Sequence, residues 1–361
     1  MSIFDSVVTN IDRGRLGGNR GLNMSYPKLS EYVPGVQPST IYCIASNIGA
    51  GKTSFTMSSM CYSPFDDYLR RKAAGEDINL KMFIFSMEMH SDILMTKGIC
   101  RRLFKEYGIL CDVNYVLSRG SNRISQEVYD KVLEVRKYFE EFEDVATILG
   151  SNNPTGISKL LKGYYLNNGK EERHPITIME DGQQKTIQVF DRYIPNKPNT
   201  YTFVIFDHIK LARSQQGMNT KQTIDKIVED SISFTNDYYQ TTIIVQQLNR
   251  GNSNTDRINS SDIDPRLDDF ADSSDVTMSA HYVITLTNPF MFQLGTYRGY
   301  DIKKLQDRFR GLRILKSRDG SSNISLGLSY LGEAGLFREL PQADLMTSEE
   351  YQRIIKIKKV Q

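Results

Sequence analysis

Short runs of almost uninterrupted apolar residues alternate along the chain with longer segments in which apolar residues recur every three or four positions. Runs of the first kind predict strands buried on both faces of a sheet, and segments of the second kind predict amphipathic helices. The predicted strands lie at 41–45, 81–89, 145–149, 201–206, 241–245, 281–287, 310–316 and 324–331, with a last turn and strand at 332–340. The predicted helices lie at 54–60, 91–109, 124–142, 157–165 and 221–238. This alternation indicates an α/β fold with a mostly parallel central sheet and helices on both of its faces.

One internal segment and the two ends of the chain interrupt this alternation. Residues 168–200 contain two β-rich runs that flank Asp181-Gly182, which predicts a β-hairpin inserted at the surface. The N-terminal segment combines a short helix, which has one apolar stripe, with a linker rich in glycine and arginine. This helix either packs on the body of its own chain or docks on a neighbouring subunit. The chain is thus divided into an N-terminal segment, a main domain and a helical, partly basic tail, at 1–25, 26–341 and 342–361.

The composition is that of an ordinary globular protein, with 39% apolar and 24% charged residues. The 45 Lys and Arg residues nearly balance the 43 Asp and Glu residues, so a DNA-binding surface would have to be a local basic patch. The four cysteines include no C-x-x-C pair, and the chain has neither an evident secretory signal nor an apolar run long enough to span a membrane. We therefore expect a cytoplasmic protein with reduced thiols and no membrane partner.

The segment after the first predicted strand has the features of a phosphate-binding P-loop, because a glycine-rich turn ending in Lys-Thr joins that strand to a helix. Gly49 and Gly51 allow backbone N–H groups to turn toward an anion, at which the positive end of the helix also points. Lys52 can reach the β- and γ-phosphates of ATP, and the Thr53 hydroxyl can bind Mg²⁺. The predicted nucleotide-binding residues are Ser46, Asn47, Ile48, Gly49, Ala50, Gly51, Lys52, Thr53 and Ser54. Because Ser46 replaces the usual first glycine, any strained backbone in the loop is expected there.

Three polar residues stand at the ends of predicted strands, and the carboxyl ends of parallel strands meet at one edge of a sheet. Asp207 is suited to hold Mg²⁺ together with Thr53. Glu88 is suited to polarise the water that attacks the γ-phosphate. Gln247 can sense the γ-phosphate through its amide. For each of the three, the alternative is an ordinary capping or hydrogen-bonding role at a strand end.

Lys316 and Arg318 lie two residues apart where a predicted strand runs into a turn, so their side chains point to the same side. On this stretch alone, the alternative is a solvated hairpin rim. The functional interpretation is an arginine finger that reaches the γ-phosphate bound by a neighbouring subunit, where such fingers raise the rate by roughly 10³–10⁵.

Five segments resemble, in their order along the chain, the motifs of DnaB-type replicative helicases. They are Gly49-Ala50-Gly51-Lys52-Thr53, Phe85-Ser86-Met87-Glu88-Met89, Ile205-Phe206-Asp207-His208-Ile209-Lys210-Leu211, Gln247-Leu248-Asn249-Arg250 and Lys316-Ser317-Arg318-Asp319-Gly320. The second and fourth segments are the specific ones, since P-loops are common. The resemblance covers roughly residues 21–340 without the inserted hairpin.

The resemblance implies a RecA-like P-loop ATPase domain that binds ATP and Mg²⁺, assembles as a homo-hexameric ring and moves on single-stranded DNA. The roles that it implies are phosphate and Mg²⁺ binding for Lys52 and Thr53, Walker B acid for Asp207, catalytic carboxylate for Glu88, γ-phosphate sensor for Gln247, and fingers across the subunit interface for Lys316 and Arg318.

The DNA loops of the family correspond to residues 212–220 and 250–275. Their available phosphate contacts are Arg213, Lys221, Arg250, Arg257 and Arg266. The second loop is rich in Asp where a more basic character is expected. The family's N-terminal domain, which meets primase, has no counterpart here, and this puts coupling to primase in question. Primase and a helicase loader are the further partners that the resemblance suggests, and a viral or plasmid replication protein in the host cytoplasm is the expected source.

We therefore expect an ATP-dependent replicative DNA helicase core. Two alternatives remain from the sequence. One is a RecA-like recombination or repair ATPase that forms filaments, and the other is a nucleotide-binding replisome scaffold that does not unwind DNA.

Overall fold

The computed structural model describes residues 3–15, 17–180, 182–249, 257, 258, 260, 262–270, 274–357 and 359. The strands in this part of the chain are β1 (Ile41–Ser46), β2 (Asn79–Ser86), β3 (Ala146–Leu149), β4 (Gly169–Glu180), β5 (Gln183–Pro195), β6 (Thr200–Asp207), β7 (Thr241–Gln247), β8 (Tyr282–Thr287), β9 (Thr296–Tyr297), β10 (Tyr300–Asp301), β11 (Phe309–Ser317), β12 (Ile324–Leu331) and β13 (Leu336–Glu339).

The helices are α1 (Ile3–Arg15), α2 (Pro27–Ser30), α3 (Lys52–Thr56), α4 (Ser63–Ala73), α5 (Ser91–Tyr107), α6 (Val113–Val116), α7 (Gln126–Glu134), α8 (Arg136–Val145), α9 (Pro154–Asn167), α10 (Thr220–Tyr238), α11 (Ser274–Ser279), α12 (Ile302–Leu305) and α13 (Ser348–Ile355). A π-helical turn, Met57–Tyr62, joins α3 to α4. None of the described helices is long and apolar enough to cross a membrane.

Nine of the described strands form one sheet in the order β13-β12-β11-β8-β1-β7-β6-β2-β3. The six strands from β8 to β3 run parallel to their neighbours. The last three, β11, β12 and β13, extend the sheet in antiparallel fashion. Parallel neighbours need crossover connections, and helices of these connections cover both faces. The predicted α/β architecture with a mostly parallel sheet is therefore confirmed.

Two apolar cores lie on the two faces of this sheet. On β1, Tyr42 and Ile44 join the core under α3, α4, α5 and α8, whereas Cys43 and Ala45 join the core under α9, α10 and α11. Every residue of β1 is buried, which explains why the strand reads as an unbroken apolar run in the sequence.

Two predicted elements differ from the structure. The single helix predicted at 124–142 is two helices, α7 and α8, which meet at Val135. The connection at 63–80, which is polar and charged in sequence, begins with α4, and this helix buries Phe65 and Tyr68 in the core. The charged residues of α4 hide a narrow apolar stripe from a search for periodicity.

The predicted β-hairpin is present as β4 and β5, which pair in antiparallel register from Gly169 and Pro195 to Glu180 and Gln183. Asp181, predicted in its turn, lies outside the described residues. Most of the hairpin is exposed, and ion pairs of Glu171 with Lys162 and Arg173 hold its base.

Helix α1 carries the predicted apolar stripe, but this stripe is not buried on the described part of the chain. Phe4 is 75% exposed and Ile11 is 56% exposed, with Val7 and Val8 exposed between them. Of the two placements that the sequence allows, packing on the body of the same chain is therefore not what the structure has.

Candidate nucleotide-binding site

The loop between β1 and α3 has the backbone of an anion-binding turn. Gly49 and Gly51 adopt left-handed conformations, with φ of 77° and 94°. A side chain at such a position costs roughly 1–2 kcal/mol, so glycine is required here by the backbone itself. The loop then enters α3 at Lys52, so the first N–H groups of that helix face the concave side of the turn.

Ser46 does not carry the strain that the sequence suggests. It is the last residue of β1, it is buried, and it is absent from the residues with positive φ. Its hydroxyl donates a hydrogen bond to the carbonyl of Asn47 at 2.8 Å. A serine fits because the chain is still extended at this point, and the left-handed turns come only at the two later glycines.

Thr53 and Asp207 come together below the loop, because β6 ends at the same edge of the sheet as β1. The Thr53 hydroxyl donates to Oδ1 of Asp207 at 3.1 Å. Lys52 is 9% exposed, and its positive charge acts on the same carboxylate. Burial raises the pKa of Asp207 to about 6, against the lowering effects of the Thr53 hydrogen bond and of Lys52.

This pair of oxygen donors fits Mg²⁺ held together with a nucleotide. Mg²⁺ prefers oxygen ligands and is usually held by one or two carboxylates plus the phosphates of a substrate, rather than by a cage of protein side chains. Within the described residues, no group of three or more His, Cys, Asp or Glu side chains is arranged for a metal ion. A hydroxyl and one carboxylate beside a P-loop match the first arrangement.

Glu88 and Gln247 lie at the same edge. The register of β2 and β6 sets Ser86 beside Asp207, and the Met87 N–H donates to the Asp207 carbonyl at 2.7 Å. Glu88 follows directly, is exposed, and acts to raise the pKa of Asp207. The register of β1 and β7 sets Gln247 beside Ser46, where the loop begins.

Lys316 and Arg318 do not lie at this edge. β11 runs antiparallel to β8, so Lys316 pairs with Val283, which in turn pairs with Cys43 near the start of β1. Cys43 is three residues before Ser46, and this separation is about 10 Å along a strand. Lys316 Nζ donates to the carbonyls of Thr277 and Met278 at 2.8 and 2.7 Å. Arg318 Nη2 donates to the carbonyls of Met278 and Ser279, both at 3.2 Å.

The described cations of the two predicted DNA loops fall into two groups. Arg213 and Lys221 are exposed. Arg257 forms an ion pair with Asp269 at 2.9 Å, and Arg266 forms one with Asp262, so both are neutralised within their own Asp-rich loop. Of the remaining predicted residues, Arg250 lies outside the described part, as do 251–256, 259, 261 and 271–273.

Sequence reasoning missed the residues that hold the loop from behind. Arg310 Nε donates to the Ala50 carbonyl at 2.9 Å, and the Tyr330 hydroxyl donates to Ser54 Oγ at 3.3 Å. Both come from the antiparallel strands. One signal could have identified Arg310, namely a single charge in the otherwise apolar run that forms the first half of β11, because a charge is rarely buried without partners.

Two solved structures resemble the chain. The ATPase domain of a helicase matches with a TM-score of 0.66 at 15% identity, over 94% of this chain and 99% of that chain. A DnaB-like replicative helicase, described with its interactions with primase, matches with a TM-score of 0.62 at 15% identity, over 94% of this chain and 67% of that chain.

No protein-family model matches the sequence, and a search of curated protein sequences finds no significant match. The likeness therefore concerns the fold. The chain has the RecA-like P-loop fold of these ATPase domains, with a β-hairpin insertion, which confirms the fold class expected from the sequence.

Proposed function

We propose that this chain is the ATPase core of a DnaB-type replicative DNA helicase, which binds ATP with Mg²⁺ and moves on single-stranded DNA as a homo-hexameric ring. One observation carries the proposal. The P-loop residues Lys52 and Thr53, the buried Asp207, and the strand-end residues Glu88 and Gln247 meet at one edge of a RecA-like sheet. That combination suits nucleoside triphosphate hydrolysis, in which catalysis consists mostly of positioning and charge stabilisation.

Each residue of the edge has a distinct task in this proposal. The amides of the loop and Lys52 bind the phosphates, and Thr53 and Asp207 hold Mg²⁺, which neutralises charge on the phosphates. Glu88 orients the attacking water and accepts its proton, a role that requires a carboxylate close to the phosphate edge. Gln247, beside the start of the loop, donates to the γ-phosphate and changes its partner when that phosphate leaves.

Lys316 and Arg318 act on the nucleotide of a neighbouring subunit in this proposal. They are at the sheet edge away from their own P-loop, so a role in hydrolysis requires a second copy of the chain. The exposed stripe of α1 supports such a partner, because four neighbouring apolar side chains of one helix lack cover from the described part of their own chain. Its residues are Phe4, Val7, Val8 and Ile11.

DNA contact is assigned to the loops 212–220 and 250–275. Of the described cations there, Arg213 and Lys221 are exposed and unpaired with a carboxylate at short range, which suits phosphate contacts. Primase and a helicase loader are proposed as further partners only by analogy with the family, and no described surface is assigned to either.

A strand-displacement assay on a forked duplex tests the proposal. With ATP and Mg²⁺, the wild-type chain is expected to release the displaced strand and to hydrolyse ATP faster when single-stranded DNA is present. Lys52→Ala serves as the matched inactive control. Electron microscopy of the same sample is expected to show closed rings.

Other outcomes would contradict the proposal in distinct ways. Helical filaments without displacement would favour a recombination ATPase. Nucleotide binding with neither displacement nor DNA-stimulated turnover would favour a scaffold.

A further inference from the structure

The convex side of the P-loop packs against the antiparallel part of the sheet, and a buried arginine lies at that contact. Arg310 on β11 is 1% exposed. Its Nε donates to the Ala50 carbonyl at 2.9 Å, and its Nη2 lies 3.5 Å from the Gly49 carbonyl. The guanidinium thus binds the outer side of the turn whose inner side faces the phosphate position.

The remaining donors of Arg310 are fixed by its own strand and the turn before it. Nη1 donates to the carbonyls of Asp307 and Phe309 at 2.8 and 2.7 Å, and Nη2 donates to Oδ1 of Asp307 at 3.1 Å. The Tyr330 ring stacks on the guanidinium, with 4.5 Å from its centroid to Cζ. Burial lowers the pKa of Arg310, while Asp307 and Tyr330 act to raise it.

The peptide between Ala50 and Gly51 shows what this contact does. In a trans peptide the N–H points away from the C=O of the same unit. A guanidinium that holds the Ala50 carbonyl on the outside therefore directs the Gly51 N–H to the inside. The positive charge also polarises that peptide in the direction that strengthens its N–H as a donor to an anion.

Two aromatic rings restrict the same unit from the other strands. A Cβ atom added to Gly51 would lie 3.1 Å from Cζ of Tyr330 and 3.2 Å from Cζ of Phe337, which are tight contacts. The two rings stack on each other with their centroids 4.3 Å apart. The loop thus has little freedom to rotate this peptide while Arg310 keeps its bond.

We propose that Arg310 is a positioning residue for the phosphate group, which holds the Ala50–Gly51 peptide with its N–H aimed at the β-phosphate of a nucleotide. The inference rests on the proposed function, since it presupposes a nucleotide at the P-loop. A purely structural arginine would affect folding without selectivity for the phosphates of the ligand, because buried charges can often be replaced by apolar residues of similar volume.

The test compares Arg310→Met with Arg308→Met in the full chain. Arg308 lies two residues away and forms a two-bonded ion pair with Glu333 at 2.6 and 2.9 Å, so its variant loses a comparable arginine that does not touch the P-loop. The affinities for ADP and AMP, each with Mg²⁺, are measured by calorimetry and by competition.

The expected result is selective. Arg310→Met weakens ADP binding about ten- to hundredfold, the range expected for one hydrogen bond to a charged group, and leaves AMP binding unchanged. Arg308→Met leaves both affinities unchanged. Arg310→Lys, which keeps the charge and one donor, is expected to retain part of the preference for ADP.

Three outcomes overturn the inference. The first is an unchanged ratio of ADP to AMP affinity in folded Arg310→Met. If that variant does not fold, Asp307→Asn decides, because Asp307 is 64% exposed and its loss frees only one end of the guanidinium. A smaller loss of ADP affinity without loss of AMP affinity is then expected, and no loss is the second. Failure of the wild-type chain to bind ADP removes the proposed function and this inference together.

Discussion

The two ends of β11 each carry cationic side chains, but the two ends serve different places. Arg310, near the start, is buried against the P-loop of its own chain. Arg318, just beyond the end, is exposed and donates to the last carbonyls of α11. The strand is nine residues long and runs antiparallel to β8, so it leads from the nucleotide edge of the sheet to the opposite edge. In the proposed ring, a single strand thus presents one cation to its own site and two to a neighbour.

The comparison teaches why the sheet changes direction at β11. A parallel strand brings only its carboxyl end to the nucleotide edge, as β1, β2, β6 and β7 do. An antiparallel strand brings its amino end there and frees its carboxyl end for the far side. If the two ends act as proposed, variants at the near end should change nucleotide affinity, and variants at the far end should change turnover in the assembled ring.

The largest effect is expected for Arg318→Ala. Loss of an arginine finger reduces the rate of ATP hydrolysis roughly 10³–10⁵-fold, because charge on the transferring phosphate loses a partner. ADP affinity of the isolated chain should stay at the wild-type value, since Arg318 is remote from its own loop. Steady-state ATPase assays and calorimetry check both parts. Weaker ADP binding by the isolated Arg318→Ala chain would contradict a role in the neighbour's site.

Glu88→Gln should reduce turnover roughly 10²–10⁴-fold, the range for loss of a general base. This residue stands at the near edge, so its variant is the reference for a defect in chemistry without a defect in binding. ADP affinity should be kept, or even raised by removal of a negative charge near the phosphates. Measurement of single-turnover hydrolysis tests it, and wild-type hydrolysis would remove Glu88 from the mechanism.

Mixed rings separate the two ends more sharply. In an equal mixture of Lys52→Ala and Arg318→Ala chains, about a quarter of the interfaces in a randomly assembled ring combine an intact P-loop with an intact finger. Activity should therefore rise to about a quarter of wild type if the sites work independently.

The near end should not complement in this way. A mixture of Lys52→Ala and Arg310→Met chains, assayed at ATP well below saturation, should gain nothing, because Arg310 acts on the loop of its own chain. Recovery in the second mixture, or none in the first, would break the comparison.

The smallest change in stability is expected on α1. Replacement of Phe4 and Val8 by Ser alters exposed positions, so the free energy of unfolding of the single chain should change by less than about 0.5 kcal/mol for each substitution. The assembly should nevertheless weaken, and with it the turnover that depends on Arg318, while ADP affinity persists. Light scattering and ATPase assays measure this, with Thr9→Ser on the same helix as control. An unchanged oligomer would remove α1 from the interface.

The strands and the near edge of the site could be predicted because they depend on local pattern. Strands buried on both faces are apolar throughout, and the turn glycines, Lys52 and Asp207 follow directly from strand ends. Once parallel strands are expected, their carboxyl ends must share an edge, so Glu88 and Gln247 follow as well.

The remainder depended on contacts between distant parts of the chain. Arg310 is 260 positions from the Ala50 carbonyl that it binds, and nothing in its neighbourhood indicates that partner. Ser46 looked like a strained position only because a motif was compared residue by residue, whereas the strand continues through it. Arg257 looked available for DNA, although the carboxylate of Asp269 twelve positions later neutralises it.

The Asp-rich loop after β7 has a consequence for the ionic atmosphere of bound DNA. An arginine releases counterions from DNA only if it replaces them at a phosphate, and each such contact on a single strand contributes about 0.7 to the slope of log affinity against log salt. Arg257 and Arg266 already have carboxylate partners. If they keep them, the slope should be shallower by about 1.4 than their number suggests. A helicase of this kind would hold its track with an affinity that changes little when the salt concentration of the cell changes.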